Sequence, residues 1–221
     1  MRTDQNRRPA ASNLDAAKPG TLAELNDMIS AAEPFVKGGT NAVLGEGPIG
    51  AHIALVGEQP GDQEDLQGRP FVGPAGRLLD RALSAAGIER KSTYVTNAVK
   101  HFKFEERGKR RLHKKPSAGE VRHYRWWLKT ELDLVRPRLV VALGATAVLA
   151  LAGKSLAIGR FRGPADFDGQ PGYITVHPSY LLRLRTEDDR EHGFDAFVAD
   201  LQKANALAKM RQKGTASRPP T

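Results

Sequence analysis

Apolar and polar residues come in blocks along the chain, and the period of the blocks changes. Leu22, Leu25, Met28 and Ile29 recur at helical spacing behind Thr21, a residue type that caps helix starts. Residues 52–57 (HIALVG) are a short apolar run closed by glycine, the pattern of a strand buried on both faces. In 76–86, Leu78, Leu79, Ala82, Leu83 and Ala86 share one helical face, and Gly87 supplies the stop. Residues 93–96 (TYVT) predict a second strand. Residues 118–134 predict a helix with Val121, Tyr124, Trp127 and Leu128 on one side. A third strand follows at 138–143 (RLVVAL), then Gly144 and a helix of small residues to Ala152. Residues 173–176 predict a fourth strand, and 195–207 a last helix beside Phe194, with Phe197 and Leu201 facing inward. Four short apolar strands separated by helices predict an α/β protein, a three-layer α/β/α sandwich around a four-stranded parallel sheet. Such sheets bind ligands beyond the carboxyl ends of their strands, so the segments after the strands are where chemistry is expected.

The two ends of the chain lack this patterning. Residues 1–20 and 208–221 are polar, small or basic, and read as disordered tails around one domain at 21–207. Of 221 residues, 40% are hydrophobic, enough for a packed core. No apolar run approaches a membrane span, and the first residues lack the apolar stretch of a secretory signal. A cytoplasmic protein with no membrane partner is expected. The chain has no cysteine, which excludes disulfides, a thiol nucleophile, a Cys-ligated zinc and a Cys-held iron–sulfur cluster. Lys and Arg number 34 against 25 Asp and Glu, so the net charge of +9 points to a polyanionic partner, nucleic acid first. Nothing in the sequence suggests more than a monomer.

After the first strand comes Gly57-Glu58-Gln59-Pro60-Gly61-Asp62-Gln63, a tight loop that places two carboxylates at a strand end. It lacks the Lys-Ser/Thr of a phosphate-binding P-loop. Phe71 follows, between Pro70 and Pro74, where it can either stack on a planar ligand or cover the core edge. After the second strand, Asn97 offers one acceptor and two donors, suited to a base edge or to an ordinary turn. Residues 100–115 then hold eight cations (Lys100, Lys103, Arg107, Lys109, Arg110, Arg111, Lys114, Lys115) with Phe102 and Phe104 among them. Gly108 and Pro116 break any helix there. The segment reads as a basic loop that either tracks phosphates or is simply solvated. Within it sits His113, whose imidazole when neutral can act as base or nucleophile. After the fourth strand comes His177-Pro178-Ser179-Tyr180-Leu181-Leu182-Arg183, which points His177 into the strand-end crevice or leaves it satisfied in the core.

Together these segments resemble the uracil-DNA glycosylase superfamily. GEQPGDQ and PFVGPAGRLLD within 57–80 look like the first motif of its family 4 branch, and HPSYLLR at 177–183 looks like the last. TNAVKHF lies between them in the expected order. GKRRLHKKP at 108–116 narrows the resemblance to the UdgX branch, whose basic loop ends in a histidine. The resemblance spans roughly residues 20 to 205. It implies that His113 attacks the sugar C1′ once uracil has left, forming a lasting protein–DNA adduct, with Glu58 and His177 as the other catalytic residues. It implies that Gly57, Gln59, Asp62, Phe71 and Asn97 line the uracil pocket. Lys109, Arg110, Arg111, Lys114, Ser179 and Arg183 are expected to contact DNA, preferably single-stranded. The family carries a four-iron four-sulfur cluster on four cysteines, whose positions are here Ser30, Glu33, Tyr124 and Ala142. A protein with no metal or other cofactor is therefore expected, with Tyr124, Trp126 and Trp127 filling the vacancy by packing. The competing readings are a multiple-turnover glycosylase, a non-catalytic binder of uracil, abasic or single-stranded DNA, and a general basic nucleic-acid module.

Overall fold

The computed structural model describes residues 18–39 and 41–216. The chain opens with α1 (Leu22–Ala31), started by a reciprocal cap: Thr21 Oγ accepts from the Glu24 amide, and the Glu24 carboxylate accepts from the Thr21 amide. Then come β1 (Ile53–Gly57), α2 (Asp62–Gln67), α3 (Pro74–Ala85), β2 (Thr93–Asn97), β3 (Phe104–Arg107) and β4 (Arg110–His113). The second half contains α4 (Ala118–Val135), β5 (Leu139–Leu143), α5 (Ala145–Ala152), α6 (Ile158–Phe161), β6 (Gly163–Phe167), β7 (Gln170–Thr175), α7 (Pro178–Leu181) and α8 (Glu187–Ala216).

The main sheet has the order β2-β1-β5-β7-β6. The first four strands are parallel, as the apolar runs predict, and β6 adds an antiparallel edge strand. Asp168 and Gly169 join β6 to β7, both at positive φ (56° and 89°), which matches the twist of a two-residue hairpin. Side chains alternate across the sheet into two cores. Ala54, Val56, Val140 and Ala142 pack with Leu25, Tyr124, Leu128 and Val148 from α1, α4 and α5. Ile53, Leu55, Val141 and Leu143 pack with Leu79, Leu83, Phe197 and Leu201 from α3 and α8. These two cores make the three layers.

Three expectations change. α8 continues to Ala216, past the expected boundary at 207, because Ala204 and Ala208 remain buried against the second core. The remainder of the expected tails, 1–17 and 217–221, lies outside the described residues. The basic loop is a two-stranded ribbon, β3 paired antiparallel with β4, with Gly108 at φ 59° in its turn. Lys100 does not belong to its charged surface. It is fully buried, with Nζ 2.5 Å from Glu131 Oε2 and 2.6 Å from Thr96 Oγ. Glu131 also accepts hydrogen bonds from the Tyr94 hydroxyl at 2.9 Å and from Thr96 at 3.1 Å. The strand register places Gly57 beside Asn97 and Val56 beside Ala142. The carboxyl ends of the parallel strands therefore open on one edge of the molecule. Among the described residues, no helix is long and apolar enough to cross a membrane.

Candidate active site

That edge holds a cavity of about 1,240 Å³. Glu58, Phe71, Asn97, His113 and His177, singled out separately in the sequence, all line it. Gly57 allows two of them to converge. A Cβ there would sit 2.3 Å from Asn97 Oδ1 and 2.6 Å from Phe71 Cζ, so any side chain would displace both. Phe71 itself lies at φ 56°, a conformation non-glycine residues rarely adopt, and is 5% exposed. Its ring belongs to the second core and also faces the cavity, 6.1 Å from the His177 ring. The two roles considered for Phe71 are thus compatible.

His177 caps α7. Its Nδ1 accepts the Ser179 backbone N–H at 3.2 Å and lies 2.8 Å from Ser179 Oγ. A ring nitrogen that accepts a backbone proton carries none, so the proton of the neutral ring sits on Nε2. Burial, reinforced by Arg183 and His113, holds the pKa of His177 down to about 4. At neutral pH the cavity therefore contains an uncharged Nε2–H donor. Gly144 makes room for it, since a Cβ there would lie 3.0 Å from His177 Cβ.

His113 ends β4, half-exposed, with Nε2 3.4 Å from Glu58 Oε1. The other oxygen of Glu58 accepts from Thr146 Oγ at 2.5 Å. Thr146 is 3% exposed in the first turn of α5 and was missed in the sequence, because the segment after the third strand reads as a run of small helix formers. Its hydroxyl leaves Glu58 with one oxygen directed at His113. Thr146→Val removes that donor at nearly constant volume. A hydrogen bond to a charged group contributes about 1.5–3 kcal/mol, so urea unfolding of Thr146→Val should show a loss of that order, with Thr146→Ser restoring it. An unchanged urea midpoint in the valine variant would mean that water replaces the hydroxyl at Glu58.

The ribbon is tied to the β1–α2 loop. Gln59 Nε2 donates to the carbonyls of Lys103 and Lys114, both at 3.1 Å, and Oε1 accepts from the Lys103 amide. Gln59, expected to contact uracil, lines the cavity, and its amide clamps the two strands. Arg111, expected at DNA, is likewise engaged within the protein. It bonds Asp62 Oδ1 at 2.6 Å and Asp65 Oδ2 at 2.5 Å, and its guanidinium lies 5.1 Å from the Phe104 ring centroid. Two carboxylates and an aromatic face hold a planar cation better than solvent does. Asp62 lines the cavity, with its carboxylate engaged in this pair. Lys109 and Arg110 are exposed at the ribbon tip, and Lys114 pairs with Glu105 in the open. Ser179 and Arg183 line the cavity, and Arg183 donates to Ser179 Oγ at 3.3 Å. Lys115, the last of the eight cations in the basic run, lines it too.

Residues 44–202 match the model of the uracil DNA glycosylase superfamily. The chain belongs to that superfamily. It is 37% identical to a type-4 uracil-DNA glycosylase of Thermotoga maritima over 198 residues, covering 86% of this chain and 97% of the relative. A type-4 uracil-DNA glycosylase of Pyrobaculum aerophilum is 35% identical over 173 residues, covering 73% and 85%. A type-5 uracil-DNA glycosylase of the same organism is 31% identical over 153 residues, covering 61% of this chain and 64% of the relative.

In this superfamily member four imidazoles are held below the usual value by burial, and His101 and His177 are pushed furthest. His101, buried with Nδ1 2.9 Å from the Tyr124 hydroxyl, is also held down to about 4 by burial. The unfolded chain protonates such groups near 6.5. Between these values the unfolded state binds more protons, so stability must fall as pH drops from about 6.5 to about 4. Urea midpoints at successive pH values check this. A His101→Gln variant should show a shallower decline, and an equal decline would clear His101 of the effect.

Proposed function

We propose that this chain excises uracil from DNA and then retains the DNA through a bond from His113 to the sugar C1′, as in the UdgX branch. The observation that carries the reading is the approach of His113 to Glu58 in a cavity that also holds Asn97, Phe71 and the neutral His177. Uracil stacks on Phe71 and presents a polar edge to Asn97. As the C1′–N1 bond breaks, its electron pair leaves with uracil, and His177 Nε2–H donates to the O2 oxygen where charge gathers. A preorganised donor of this kind contributes a few kcal/mol to the transition state. The electron-poor C1′ takes the lone pair of one imidazole nitrogen of His113. The proton on the other nitrogen passes to Glu58 and then to solvent, while the uracil anion takes a proton from solvent. In the adduct the imidazole occupies the space beside Glu58 that a hydrolytic water would need, so each molecule acts about once. Single-stranded DNA is the better substrate, because its uracil need not be unpaired before entering the cavity.

The same reading dispenses with an iron–sulfur cluster. The four positions offer no thiolate: Ala142 is a core methyl on β5, and Ser30 and Glu33 have no sulfur. The Tyr124 hydroxyl already accepts from the Phe35 amide at 3.0 Å and bonds His101. Tyr124 lies edge-on to Trp127 at 5.6 Å, and these contacts fasten the segment after α1 to α4. Stoichiometric iron in the purified protein would refute this part.

A denaturing gel tests the chemistry. The protein is mixed with a labelled single-stranded oligonucleotide carrying one uracil, then boiled in SDS. A shifted band that requires uracil supports the adduct. Alkali-labile product without a band means a turnover glycosylase, and neither means a binder.

A further inference from the structure

The cavity is larger than a flipped base needs. Its volume of about 1,240 Å³ exceeds the roughly 300–1,000 Å³ of sites that enclose one small ligand. Part of its lining comes from α7. α7 is a single turn in which Pro178 and Leu181, three apart, are buried. That spacing turns Tyr180 and Leu182 outward, 48% and 47% exposed, and both line the cavity. The Tyr180 amide donates to the His177 carbonyl at 2.9 Å, so the backbone holds Tyr180 one turn from His177. Ile158 contributes a further apolar side chain to the same cavity, and Gly159 adds open space beside it. Lys115 and Arg183 line the cavity as cations.

An exposed aromatic, an apolar neighbour and cations that suit phosphates are the elements of a single-strand stacking platform. Resting on the glycosylase reading above, we infer that this half of the cavity is a second subsite, in which Tyr180 stacks the nucleobase adjoining the flipped uracil. The occupant is a base of the same strand, reached because the chain on one side of the uracil passes over α7. Base–aromatic stacking is strong enough to be read as a change of roughly tenfold in affinity. The smallest efficient substrate is therefore a uracil with a neighbouring base.

The experiment measures single-turnover excision against protein concentration, on single-stranded 11-mers with one central uracil. Companion 11-mers carry a tetrahydrofuran residue, which lacks a base, on the 5′ or the 3′ side of the uracil. For the wild-type chain, removing the base on one of these sides should raise the half-saturating concentration roughly tenfold and change the maximal rate less than about twofold. Tyr180→Ala should show the raised value on the full oligonucleotide and no further rise on the gapped one. Tyr180→Phe should behave as wild type. Independent, multiplying effects of the two changes would overturn the subsite. So would a Tyr180 effect seen only on double-stranded DNA, which would make the residue a wedge. No excision by the wild-type chain on any substrate would overturn the glycosylase reading itself, an outcome distinct from normal excision without Tyr180 dependence.

Discussion

His113→Ala is expected to leave no DNA band that survives boiling in SDS, while uracil is still released. The side chain is half-exposed at the end of β4, so its loss opens no core cavity and the fold should persist. Gln59 and Arg111 hold the ribbon independently of it. Adduct formation should fall at least about a hundredfold, the scale on which a positioned reactive side chain contributes. In the proposed mechanism excision draws mainly on Phe71, Asn97 and His177, so it should fall much less. His113→Ser frees space near Glu58 for water, and should convert the chain into a multiple-turnover glycosylase. Gel shift and alkali cleavage on the same samples separate the two activities. If the alanine variant cross-links as well as wild type, the nucleophile lies elsewhere.

Glu131→Ala should be the most destabilising single change. It strands the Lys100 ammonium at 0% exposure and removes the acceptor of the Tyr94 and Thr96 hydroxyls. Removing one partner of a buried ion pair costs about 3–5 kcal/mol, because the remaining charge keeps its desolvation penalty and loses its compensation. Replacing both members with apolar residues, Lys100→Met with Glu131→Leu, should cost less than the single change. Urea unfolding of the three proteins measures the difference. A loss under about 1 kcal/mol in Glu131→Ala would mean that water reaches the pair.

The parallel strands and their two-sided burial were readable because continuous apolar runs have few other solutions. The strand-end residues Glu58, Asn97 and His177 followed from that topology. β6 was missed because Gly163–Phe167 mixes proline and acid with two apolar residues. The Asp168-Gly169 turn was nevertheless a hairpin signal in plain view. The ribbon hid for a different reason: its residues are nearly all charged, and period-2 patterning is visible only where one face is buried. Lys100 and Arg111 looked like their neighbours because a cation in a cationic run gives no hint of its partner. Those partners, Glu131 and Asp62, are 31 and 49 positions away. Thr146 was hidden for the same reason, 88 positions from Glu58.

The ribbon that ends in His113 stands outside the main sheet. Its attachment includes the Gln59 amide, the Asp62 and Asp65 carboxylates, and a bridge between Gly38 and Lys103. The histidine proposed as nucleophile is thus carried on a cassette with its own socket, separate from the α/β frame that shapes the cavity. A related frame that already has the glutamine and both aspartates needs only the cassette to acquire the histidine. A frame without them would receive the residue but not its aim. Transplantation of the trapping chemistry should therefore succeed or fail on three side chains of the recipient's first strand loop and the helix that follows it.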